Sequence, residues 1–196
     1  MAKLVTGRLR TSFVNLEEPN ALSEKYQVDL LIPKNGPEVK KIKGAIKAAI
    51  GEGVEKKWNG KKPANLHNPL KDGDERLESV DDPSKYAVYE GHYYITPKAA
   101  KPSQFFCFDR ERNTISPEEI YSGCSVRASI DVFPYAHEKG GKGVSISLKA
   151  LQFVADGEPL GSGRSEDSLR GDFDDDFDDF DDDGFVDLGE DEDDPF

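Results

Sequence analysis

Only two cysteines, Cys107 and Cys124, occur in the 196 residues, too few for a disulfide framework. No apolar segment follows Met1, and no run of 18 apolar residues occurs anywhere, which argues against a signal peptide and a membrane-spanning helix. An intracellular protein with reduced thiols is the expectation. Signatures of chemistry are missing too. His67, His92 and His137 form no His-x-His or Cys-x-x-Cys-like pair with each other or with the cysteines, so no metal is expected. There is no Gly-rich phosphate loop, no His-Glu-x-x-His helix and no Ser-His-Asp order. A nuclease would need clustered carboxylates, whereas Asp72, Asp74, Glu75, Asp81 and Asp82 fall in what reads as a loop. Neither catalysis nor a cofactor is supported.

Acid is abundant but segregated. The formal net charge is -13, yet residues 166–196 hold 17 acidic residues against one basic, Arg170, a net of -16. The remaining 165 residues carry 25 Lys and Arg against 22 Asp and Glu, or +3. Within them, residues 1–71 carry 14 basic against 7 acidic, or +7. A polyanion would therefore meet the first strands, the helix and the loop after it.

The hydrophobic pattern predicts a mainly β domain over residues 1–160. Leu4 to Leu16 alternate as one strand, with Val5, Leu9 and Phe13 on the inner side and Arg8 and Arg10 on the other. Lys25 to Pro33 alternate again, with Tyr26, Val28, Leu30 and Ile32 inward. Val39, Ile42, Ile46, Ala49 and Ile50 recur at helical spacing, which gives an amphipathic helix over Pro37–Ile50, its wet side carrying Lys40, Lys41, Lys43 and Lys47. Residues 51–84 show little periodicity and read as a long irregular insertion. Strands return at Tyr86–Thr96, Phe105–Phe108 and Ser122–Tyr135. The last of these leads through Gly140-Gly141 and Gly143 to a returning strand with Val144, Ile146, Leu148 and Ala150 on one side. Five or six strands, one helix and antiparallel neighbours fit an OB-fold-like antiparallel β-barrel, with a sheet sandwich as the other solution.

Single strands of DNA offer base faces to aromatic rings and phosphates to cations. Tyr94, Phe105, Phe106, Phe133, Tyr135 and Trp58 lie near Lys98, Lys101, Arg127, Lys142 and Lys61 in sequence. Strand aromatics also fill cores. Phe133 and Tyr135 stand apart because they fall on the polar parity of their strand, with Arg127, Ser129 and Asp131. Arg8 and Arg10 share a predicted strand face and either line a groove or are solvated. The candidate DNA-binding set is thus Tyr135, Phe133, Arg127, Lys142, Arg8, Arg10, Tyr94, Lys98, Lys101 and Phe106.

Residues 161–196 read as a flexible linker and a disordered acidic tail, since Asp clusters around Phe173, Phe177 and Phe180 cannot bury their charge. Bulk solubilisation explains the aspartates but not the ending Asp193, Asp194, Pro195 and Phe196, which puts a large ring beside a carboxylate. That ending, within Asp191–Phe196, resembles the acidic tip of bacterial single-stranded DNA-binding proteins. Lys25-Tyr26-Gln27-Val28-Asp29-Leu30-Leu31-Ile32-Pro33, the strand with Phe133-Pro134-Tyr135, the Gly-rich hairpin before Val144–Leu151 and the tail together resemble the phage replication family of single-stranded DNA-binding proteins. The resemblance covers about half of the chain and none of residues 51–84. It implies an OB-fold, base stacking around the last hairpin at Tyr135, dimer formation, and a tail that docks on replication proteins such as a polymerase, helicase or nuclease. At the position after that Tyr where relatives carry an aromatic, this chain has His137. On this reading the chain works in replication, recombination and repair in the cytoplasm of an infected bacterial host. A reading of another class remains: an acidic-tail protein-interaction or DNA-mimic module with the barrel as scaffold.

Overall fold

The first alternating run, expected as one strand, folds as two in the computed structural model, which describes residues 2–137 and 141–160. They are β1 (Ala2–Val5) and β2 (Leu9–Asn20). Between them the backbone finds partners off the ladder. The Ala128 N–H donates to Thr6 Oγ1 at 2.9 Å and the Gly7 N–H donates to the Glu38 carboxylate at 2.8 Å. The break, together with a register jump between Ser12 and Asn15 in β2, overturns the predicted shared inner face: Leu9 is buried, but Val5 and Phe13 are exposed at 46 % and 40 %. Arg8 falls in the bend and Arg10 in β2, so they do not share one strand.

β3 (Lys25–Pro33) follows, with Val28, Leu30 and Ile32 fully buried. Helix α1 (Glu38–Lys56) buries Val39, Ile42, Ile46 and Ala49 on one face and continues a turn and a half past the expected end at Ile50. Two glycines there lower helix propensity, but tertiary packing overrides it: the Trp58 ring lies on Gly53, where a Cβ would come within 2.6 Å of the indole.

The supposedly irregular insertion holds structure. It contains β4 (Leu66–His67), β5 (Lys71–Asp72), a second helix α2 (Gly73–Ser79), and the start of a 3-10 turn (Pro83–Tyr89). That turn replaces the first half of the strand expected at Tyr86–Thr96, leaving β6 (His92–Ile95). Then come β7 (Lys98–Ala99), β8 (Phe106–Phe108), β9 (Ser125–His137) and β10 (Gly141–Ala155).

The strands close on themselves in the order β2-β3-β7-β10-β9-β2. Four of these pairings are antiparallel, while β7 lies parallel to β10, as do β4 and β8. This is an OB-fold-like barrel, closed so that its main strands have no free edges. Its core is filled by Val28, Leu30, Ile32, Val126, Ile130, Val132, Val144, Ile146 and Leu148, capped by α1. Expectations for the acidic tail, including Asp193, Asp194, Pro195 and Phe196, lie outside the described residues.

Candidate nucleic-acid interface

Because Val28, Leu30 and Ile32 point into the barrel, Asp29 and Leu31 must point out. Both are nonetheless buried. The cover is α2 with the Pro83–Tyr89 turn. Arg76 of α2 donates to Asp29 Oδ2 at 3.0 Å, Tyr89 Oη donates to the same oxygen at 2.6 Å, and Thr96 Oγ1 donates to Oδ1 at 2.6 Å. A buried carboxylate with three such donors is fully compensated. Burial, with the Asp29 charge, pushes the Tyr89 hydroxyl far up, so it stays a donor. The Arg76 guanidinium lies 4.6 to 5.3 Å from the ring centroids of Tyr86, Tyr89, Tyr94 and Phe13. A second tie fixes the start of α2, where Lys34 Nζ donates to Asp72 at 2.8 Å and to Asp74 at 2.7 Å.

Beside this cover runs an open groove of about 740 Å³ lined by Lys43, Asn68, Leu70, Lys71, Tyr93, Tyr94 and Arg76, with Asp72 and Glu75 also on its wall. Lys71 sits 6.0 Å from the Tyr94 ring, and Lys43 sits 4.9 Å from that of Tyr93. Along the sheet the outward row continues through Gln27, Lys98, Ser147 and Asp131, which are register partners. Burial pushes the Lys98 ammonium down, and the charges of Lys25 and Lys71 push it the same way. Crowded, partly desolvated cations of this kind gain most from an incoming phosphate.

One outward row further along β9 and β10, Phe133 lies opposite Ser145, and then Tyr135 lies opposite Gly143. Both rings are half-buried on the outer face. Tyr135 is 5.3 Å from His137 and 6.3 Å from His67, centroid to centroid. It lies over bare backbone, since a Cβ on Gly143 would meet its hydroxyl at 3.0 Å. From below, Trp58 Nε1 donates to the Tyr135 carbonyl at 3.0 Å.

The structure thus brings Lys98, Phe133 and Tyr135 onto one continuous face. Tyr94 belongs beneath it: the ring is buried at 6 % exposure under Arg76 and edge-on to Tyr89, and so presents no face to a base. Trp58 and Phe105 are core residues. Arg127 and Phe106 face outward at the opposite end of the same sheet, where Arg127 Nε donates to Thr6 O at 3.3 Å and Phe106 stacks on Phe108 at 6.3 Å. Lys142 is exposed on the other parity from Tyr135, and Lys101 is exposed before the Pro102–Gln104 turn. Arg8 is exposed in its bend, and Arg10 is tied to the carbonyls of Gly123 and Glu158. Sequence reasoning missed Lys25, Lys43, Lys71 and Arg76. The +7 charge of residues 1–71 was the available signal for the first three, but only folding puts Lys25 and Lys71 beside Lys98 and Lys43 on the groove wall.

Comparison with known proteins finds relatives of this barrel. A family model described as the ssDNA-binding protein of Enterobacter phage Enc34 matches residues 2–185. Putative protein p50 of Acyrthosiphon pisum secondary endosymbiont phage 1 is 32% identical over 169 residues, covering 82% of this chain and 88% of that protein. The solved structure of the bacteriophage Enc34 single-stranded DNA-binding protein in complex with ssDNA is 30% identical with a TM-score of 0.58, covering 81% of this chain and 89% of that one. Its C-terminally truncated form aligns with a TM-score of 0.61 at 26% identity over 80% and 88% of the two chains. Bacteriophage T7 gp2.5, at 16% identity and a TM-score of 0.56 over 94% and 98%, shares the fold. A family model spanning nearly the whole chain, with a relative at this identity and coverage, places the chain in the Enc34 single-stranded DNA-binding protein family.

Proposed function

We propose that this chain binds single-stranded DNA without regard to sequence, through the outer face that runs from Tyr135 and Phe133 over Lys98 to the Lys71 and Lys43 groove. The convergence of Lys25, Lys71 and Lys98 beside two half-buried outward rings carries this reading. Rings stack on unpaired bases and cations track phosphates, a combination that needs no hydrogen-bond readout. The known ssDNA complex of the Enc34 relative supports it. Arg127, Phe106, Lys142, Lys101, Arg8 and Arg10 serve as outlying phosphate or base contacts on a longer strand. The role is binding, not catalysis, in replication and recombination of phage DNA inside the infected host. The Asp193-Asp194-Pro195-Phe196 ending recruits a polymerase, helicase or nuclease, the acidic tail modulates DNA binding, and the protein works as a dimer.

Titration of a fluorescent oligonucleotide tests the binding face. Tyr135→Ala should lose about 1 to 3 kcal/mol of binding free energy for one stacked base. Lys98→Gln should flatten the slope of log affinity against log salt by about 0.7, the value for one phosphate contact on a single strand. Absence of binding by the unaltered chain at low salt would leave only the protein-interaction reading. Phe196→Ala should leave oligonucleotide affinity unchanged while reducing capture of a cognate replication enzyme. A tail of the same composition with its last residues scrambled, capturing the same enzyme equally, would reduce the tip to bulk charge.

A further inference from the structure

Phe13 breaks the pattern of its strand in three ways at once. It lies where the β2–β3 register jumps between Ser12 and Asn15, it has φ +43°, and it is 40 % exposed on a strand whose parity calls for burial. A left-handed backbone is costly for a bulky L-residue, and glycine or asparagine would make the same bulge more cheaply. Bulges re-aim side chains, and strained positions of this kind cluster at functional sites. Here the re-aimed ring leaves the barrel core and stacks on Tyr86, with centroids 5.2 Å apart and planes 29° from parallel. Arg76 lies 5.3 Å from the same ring and 4.9 Å from Tyr94, so the Phe13–Tyr86 stack adjoins the groove that contains Lys71.

We infer that Phe13, backed by Tyr86, is a nucleobase-stacking platform that takes an unpaired base at the end of the groove farthest from the Tyr135 hairpin. This rests on the single-strand reading of that groove and extends it. Tyr86 stacks on the ring and the Arg76 cation lies 5.3 Å from its centroid, and the exposed remainder is left for a flat apolar partner. A duplex cannot supply that partner, because its base faces are already stacked, whereas a single strand can. The ligand is a base of any identity, since stacking on a ring reads no base edge.

Two measurements test the platform. An oligonucleotide carrying 5-bromouracil, irradiated on the unaltered chain, should crosslink to the peptides containing Phe13 or Tyr86 as well as to the hairpin. Crosslinks confined to the hairpin overturn the inference. Phe13→Gly relieves the backbone strain, so its melting temperature should hold or rise while its oligonucleotide affinity falls by about 5- to 150-fold, the loss of one stacked base. A folded Phe13→Gly chain that binds as tightly as the unaltered one overturns the platform but leaves the groove. Failure of the unaltered chain to bind any oligonucleotide overturns both. If the variant does not fold, the crosslink positions decide.

Discussion

At the scale of single residues, the close approach of Trp58 to Gly53 links the helix to the binding face. The indole fills the space a side chain would occupy and donates to the carbonyl of Tyr135. Gly→Ala in a helix ordinarily stabilises by about 1 kcal/mol. Here the new methyl has to displace a buried ring, an overpacking that costs about 1 to 3 kcal/mol. Gly53→Ala should therefore lower the melting temperature rather than raise it, and it should weaken oligonucleotide binding by shifting Tyr135. Because Trp58 is the sole tryptophan, its emission reports on the site directly. A more stable variant with unshifted emission would show that the indole gives way freely. Cys107 fits the same picture of a dry interior, since burial pushes its thiol up to about 11 and away from the reactive thiolate.

At the scale of elements, α1 is joined to the β1–β2 bend through Glu38. Burial pushes its carboxyl upward, but the bonds from Lys41 and the Gly7 N–H and the charge of Arg127 outweigh that and hold it below the ordinary carboxylate range. A carboxylate depressed in the folded state adds stability above its unfolded value near ~4.3 and loses it as pH falls through the folded one. Unaltered protein should thus melt higher than Glu38→Gln at pH 7, with the gap closing below about pH 4. A gap that persists unchanged in acid would assign the bond to packing alone. Elements with one exposed face were legible in the sequence, because alternation and helical spacing record burial on one side: α1, β9 and β10 as far as Leu148 follow that rule, until a bulge past Leu148 buries Leu151 in place of the expected Ala150. α2 and the Pro83–Tyr89 turn were not. Their burial comes from Asp29 and Leu31, outward positions on a distant strand, and no local period records that contact. The break at Thr6–Arg8 escaped for the same reason, its partners being Ala128 and Glu38. Phe133 and Tyr135 were legible as outward rings because parity is local. The cations that meet Lys98 come from β3 and β5, and their convergence is a property of the closed barrel.

At the scale of the whole molecule, charge is the organising variable. The 165 residues that include the barrel carry +3, and residues 166–196 carry -16, joined in one chain. A tethered polyanion acts at high effective concentration on any cationic surface of the same molecule, so under the proposed tail function even a weak attraction would suffice to compete with DNA. Its advantage over DNA is proximity, and its weakness is that the attraction is screened: the Debye length falls from about 30 Å at 0.01 M salt to about 8 Å at 0.15 M. Removing the residues after Ser165 should therefore tighten oligonucleotide binding, most strongly at low salt, with the two affinities converging as salt rises. If the tail competes in this way, the slope of log affinity against log salt should be steeper for the shortened chain, because a full-length chain would already have exchanged part of its counterions for its own carboxylates. Titrations of both chains across one salt series supply the comparison. Equal or weaker binding by the shortened chain throughout that series would mean that the acidic residues do not act on the binding face, and their function would then rest on partner proteins alone.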